Sequence, residues 1–283
     1  MASRQNLKRL ENQIHFQKNT FLIITVNSVA VFLLSYVFIY FMTQLVTAVS
    51  ASTFNIGTII YYYDIDYLIR GNNWTSDAVS IVFSSGPLFS LFFSILLFTI
   101  YYKVVSETGF LRLFVLWCFC HVVIYFFGNM LVGTILNEGF GYVIMYQFVM
   151  DTGKMIITLF AFLCIFLIGL FMTRLFLYSG NIYFNVLNHQ NRLKFVFSQF
   201  LIPFITGDLI IILLKLPEVR LFEILLNGCI LLLLLPVLFR SINIQDLYFD
   251  EEPRKIKLAG YFILGTLLCL IGFRVGLAFG IRI

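Results

Sequence analysis

Seven apolar stretches of about 20 residues each recur along the chain, at 21–46, 79–102, 111–136, 155–177, 195–214, 221–239 and 258–279. Coiled as a helix at 1.5 Å per residue, a run of that length matches the roughly 30 Å of hydrocarbon in a bilayer. One such run could be the core helix of a soluble domain. Seven, separated mostly by short polar connectors, cannot be hidden inside 283 residues. Composition agrees: 60% of residues are hydrophobic and 12% charged, against about 45–50% and about 25% in soluble domains. The sequence therefore predicts an all-α fold, a polytopic transmembrane helical bundle of about seven spans. It divides into a basic cytoplasmic segment, 1–20, and a single transmembrane domain, 21–283.

In such a protein the net charge of +5 is a topology signal rather than a nucleic-acid footprint. With the N-terminus inside, thirteen Lys and Arg fall on the cytoplasmic side and four on the other: Arg70, Lys215, Arg220 and Arg282. Lys154 and Arg274 fall at or within the membrane. The asymmetry predicts a cytoplasmic N-terminus and an external C-terminus. The leader is polar and the first run exceeds a signal-peptide core, so no cleaved signal is expected. Cys118, Cys120, Cys164, Cys229 and Cys269 all lie in apolar runs, where Cys acts as a small hydrophobe.

Two longer gaps interrupt the runs, at 47–78 and 137–154. In the first, Ser52–Tyr63 (STFNIGTIIYYY) has the Thr, Ile and Tyr content of a strand and is too short to span. A short interfacial β-segment is expected there, ahead of Asp64–Asp66. In the second, 139–149 is apolar enough to dip into the bilayer. Pro203 is expected to kink the fifth span.

Ionisable groups in hydrocarbon are costly and are functional candidates by default. They are His121, Asp151, Lys154, Asp208 and Arg274. Asp151 and Lys154 are spaced i,i+3, which suits an ion pair at a helix end. Asp208 follows Pro203 near mid-span, and Arg274 is its candidate partner. The pair reads either as structural or as a transport site. His121 shares a helix face with Cys118 but not with Cys120, too few ligands for a closed metal site. It is expected to be a hydrogen-bonded core histidine. Asp151-Thr152-Gly153 has no second Asp-Thr/Ser-Gly to share a proton with. Presenilin-like proteases need Gly-x-Gly-Asp, and here Ile205 takes the place of the first glycine before Thr206-Gly207-Asp208.

Three features in order resemble the site-2-protease family of intramembrane zinc metalloproteases. Ser85-Gly86-Pro87-Leu88 is similar to its Gly-Pro motif, expected at the start of the second span. Met150-Asp151-Thr152-Gly153-Lys154 is similar to its aspartate motif, with Thr152 where a glycine is usual. The β-segment falls where the family has its strand. The family's His-Glu-x-x-His is absent, and span one ends Tyr40-Phe41-Met42-Thr43-Gln44. The resemblance covers 21–177, with 195–279 as additional helices. It implies a pseudoprotease without catalytic residues, metal or cofactor, in a bacterial inner membrane. Beyond membrane lipid, its partners would be other membrane subunits or a client helix, and no nucleic acid. A transporter or channel using Asp208 and Arg274, and an aspartyl intramembrane protease using Asp151 and Asp208, are the alternatives.

Overall fold

The computed structural model of the chain describes residues 18–103, 109–148, 153–249 and 256–283. Its helices are α1 (Lys18–Ser52), α2 (Ser76–Lys103), α3 (Gly109–Leu136), α4 (Gly139–Phe148), α5 (Gly153–Tyr178), α6 (His189–Val196), α7 (Ile202–Lys215), α8 (Leu221–Ser241) and α9 (Gly260–Gly276). A π turn at Phe197–Leu201 joins α6 and α7 into one rod of 27 residues. Six rods are long and apolar enough to cross a membrane, and the protein is a membrane-embedded helical bundle. The seventh run forms α9, which at 17 residues is shorter than the roughly 20 of an unaided span. It still carries the chain from one end of the bundle to the other.

In hydrocarbon every peptide group must find its partner within its own segment. Runs rich in Val, Ile and Phe therefore coil into helices here. The embedded hydroxyls obey the same rule. Ser35, Thr43, Thr47, Ser90 and Thr173 each donate to a carbonyl three or four residues back on their own helix. α2 starts where Thr75 Oγ1 accepts from the Ala78 N–H at 3.2 Å and Asp77 lies in the positive first turn.

α3 is the central helix, buried around its circumference and packed on α1, α2, α4, α5 and α8. Helices approach closely where glycine allows it. Gly169 of α5 lies against the Leu233 carbonyl and Pro236 of α8, where a Cβ would overlap backbone. Pro203 is accommodated rather than left as a break. Its missing N–H would have served the Gln199 carbonyl, and that carbonyl accepts from Ser28 Oγ at 2.5 Å instead. Trp117 Nε1 donates to the same Ser28 oxygen at 3.3 Å, tying the π turn, α1 and α3 together.

At one end of the bundle β1 (Thr58–Ile60) pairs antiparallel with β2 (Ile65–Tyr67) and with β5 (Ile281–Arg282), in the order β2-β1-β5. The β-segment expected at 52–63 is thus a strand of three residues, because Ser52 still belongs to α1. At the other end β3 (Val186–Leu187) pairs with β4 (Leu247–Tyr248). The gap at 137–154 holds α4, ten residues long and packed on α2 and α3. Asp151, with the ion pair expected of it, lies outside the described residues. Gly153 opens α5, and Lys154 Nζ reaches Asn137 Oδ1 at 3.2 Å and the Ile135 carbonyl at 3.4 Å.

Candidate functional site

Tyr36, Tyr40, Gln44 and Thr47 recur at four- and three-residue intervals and so share one face of α1. His121, Tyr125 and Asn129 do the same on α3. Both faces open onto a cavity of about 690 Å³ at the β1–β2–β5 end of the bundle. Phe83 and Pro87 of α2 form a third wall, and Tyr67 and Trp74 on the chain after β1 cover it. Lys215 at the end of α7 and Phe222, Glu223 and Asn227 of α8 complete the enclosure.

Lys215, counted from the sequence as an external loop cation, is 3% exposed. Its Nζ donates to Glu223 Oε1 at 2.8 Å and to the Tyr63 carbonyl at 3.1 Å, and sits 4.6 Å from the centre of the Tyr40 ring. A lysine can be buried there because opposite charge, a carbonyl and a π face replace its water. Nearer the mouth, Arg220 pairs with Asp64 at 2.5 Å. Burial pushes the Asp64 carboxyl above its ordinary range, and the Arg220 guanidinium draws it partly back.

His121 meets its expectation halfway. It is buried, and its ring packs against the Phe32 ring at 4.8 Å between centroids. Its Nε2 has no partner, and the residue lines the cavity. Gly86 and Pro87 were expected to open the second span but sit about three turns inside α2, because Thr75 and Asp77 start that helix earlier. Gly86 faces the end of α1: a Cβ there would stand 2.8 Å from Thr47 Oγ1.

The expected Asp208–Arg274 pair is not formed. Arg274 Nη2 donates to the Leu216 carbonyl at 3.2 Å, and its guanidinium stacks 3.7 Å over the Tyr62 ring. Leu216 lies about two helical turns beyond Asp208, roughly 12 Å of rise, so the two charges sit at different depths. Asp208 lies close to Asn227, and its Oδ1 has no partner. Asp208 is not on the cavity wall.

Among the described residues no group of three His, Cys, Asp or Glu converges as a metal site would require. What the cavity offers is fixed charge, hydrogen-bond acceptors and aromatic faces. Lys215, Glu223, Arg220 and Asp64 were missed as site residues. The signals present in the sequence were the helix-spaced polar residues of α1 and the four charges crowded into Lys215–Glu223. No family model matches the chain, and no curated protein and no solved structure matches it.

Proposed function

We propose that the protein is a non-catalytic membrane protein organised like a site-2 protease that has lost its zinc centre, and that it holds a partner or client segment in the cavity. One observation carries this reading. The end of the first long helix and the Gly86-Pro87 turn of the second wall the same cavity, through Tyr40, Gln44, Thr47 and Pro87. That is where the resemblance puts the proteolytic centre.

Zinc does not fit the residues present. Tyr40 and Gln44 stand at i,i+4, the spacing of the family's two imidazoles, and Phe41 stands where its glutamate would be. A phenol and a carboxamide are poor zinc donors, and a phenyl ring cannot activate water. The chemistry left to the site is holding. The charge asymmetry of the loops supports a cytoplasmic N-terminus and an external cavity mouth, and the resemblance implies a bacterial inner membrane.

The test is site-specific photo-crosslinking in native membranes. A photoreactive residue replacing Phe83, on the cavity wall, should give one discrete protein adduct. The same residue replacing Leu267, which is 52% exposed on α9, should not give that adduct. Filling the cavity with Thr47→Trp should abolish it. Identical adduct patterns from both positions, unchanged by Thr47→Trp, would contradict a holding site.

A further inference from the structure

We infer that the group held in the cavity is an organic ammonium; this rests on reading the cavity as a holding site and adds what it holds. The wall carries four carboxylates, Asp64, Asp66, Glu138 and Glu223, against two cations, Lys215 and Arg220. Both cations are already paired, with Glu223 and Asp64. Lys215 is further committed to the Tyr63 carbonyl and the Tyr40 ring. Asp66 and Glu138, both exposed, make no ion pair among the described residues and leave the mouth negative. Such a field concentrates cations and repels anions.

Inside, the unmet need is for donors. His121 is 6% exposed, and its ring is packed at 4.8 Å from Phe32 and 5.7 Å from Tyr36. Its Nε2 has no partner, and in the neutral tautomer that carries the proton on Nδ1 this nitrogen is a lone-pair acceptor. Glu223 shows the same pattern. Its Oε1 accepts from Lys215, while Oε2 is buried without a partner. Buried acceptors left unmet cost free energy, so natural interiors rarely keep them without a reason. The Tyr36 ring lies 5.7 Å from the His121 ring and 5.9 Å from Lys215 Nζ, the group that holds Glu223.

An alkylammonium supplies what is missing. Its N–H groups satisfy the imidazole and the free carboxylate oxygen through charge-assisted bonds. Its charge offsets the acidic excess, and its apolar body lies against Tyr67, Trp74 and Phe83. An anion would meet no uncommitted cation. A neutral alcohol would satisfy the acceptors but gain nothing from the field. The cavity volume suits a ligand of ordinary small-molecule size or one side chain of a peptide.

The experiment uses the purified full chain in lipid nanodiscs and three probes of nearly equal shape: phenethylamine, 2-phenylethanol and phenylacetate. Binding is read by calorimetry and by the thermal midpoint. Phenethylamine should bind saturably at least tenfold tighter than 2-phenylethanol, and phenylacetate not at all. His121→Phe should remove most of that preference. Asp66→Asn with Glu138→Gln, both exposed and so safe for folding, should weaken phenethylamine several-fold at low salt. A soluble peptide with one lysine, against its acetyl-lysine form, separates the sources. Tighter binding of the free-lysine peptide than of phenethylamine identifies a protein segment as the source, and binding of phenethylamine alone identifies a free amine. Equal binding of the three probes, or preference for phenylacetate, overturns the ammonium assignment while leaving a holding site. Binding by no amine in any form also overturns it, and the holding site is then judged by the cross-linking result alone.

Discussion

At the end closed by β3 and β4, Arg192 is 1% exposed, and its Nη1 donates to the carbonyls of Ser241, Ile242 and Ile244 while Nη2 meets Asp246 at 2.9 Å. Nearby, the Asn27 side chain donates to the Lys257 carbonyl and accepts from the Ala259 N–H, which fixes the start of α9. At the other end Lys215 is buried as deeply, but around it His121 Nε2 and Glu223 Oε2 remain buried and unmet, and both residues line the cavity. Unpartnered atoms alone do not separate the ends. The Gln199 amide has none and lines no cavity. The difference lies in the company they keep. One end uses a buried cation to close a loop onto the bundle, and the other uses one to shape a cavity that stays open.

The largest effect should come from the closed end. Arg192→Met strands three carbonyls and should cost on the order of 3 kcal/mol, read as a fall in thermal midpoint. Arg192→Lys should recover only part of it, since an ammonium cannot reproduce the fork. A midpoint unchanged by Arg192→Met would remove the contrast altogether.

Next comes the cavity pair. Lys215→Met leaves Glu223 charged and half-buried and should cost on the order of 2 kcal/mol. Adding Glu223→Gln should restore at least half of that in thermal unfolding. A double variant as unstable as the sum of the two single ones would show that the pair does not organise the cavity.

The smallest expected effect is a null coupling. Asp208→Asn and Arg274→Gln should be additive within about 0.5 kcal/mol, because each residue serves different neighbours. A coupling above about 1 kcal/mol would restore the ion pair that the charges alone suggest.

The architecture was legible where the solvent dictates it. Runs near 20 apolar residues coil in a bilayer whatever their packing, and Thr58–Ile60 announces a strand by composition. Its partner β5 comes from the far end of the chain, and that pairing has no local signal. Gly86-Pro87 was placed too near a helix start because its position depends on where α2 begins, which Thr75 and Asp77 decide. Lys215 looked like a loop cation because it precedes Pro217. Its burial depends on Glu223, the Tyr40 ring and the Tyr63 carbonyl, which only the folded bundle brings together. Asp208 and Arg274 were matched by charge, and charge says nothing of depth. The site was half legible: the spacings of Tyr36, Tyr40, Gln44 and Thr47 and of His121, Tyr125 and Asn129 define two polar faces, but not that they face each other.

The contrast between an open acidic cavity and a closed end is tested most directly by thiol-modification rates in nanodiscs. The chain would carry serine at its five native cysteines and one new cysteine at a time. Gln44→Cys, on the cavity wall, should react readily and at least tenfold faster with a cationic methanethiosulfonate than with an anionic one of similar size. Asn27→Cys, at the closed end and 1% exposed in the parent residue, should react with neither on that timescale. Equal rates for the two reagents at Gln44→Cys, or an Asn27→Cys as reactive as Gln44→Cys, would contradict the account.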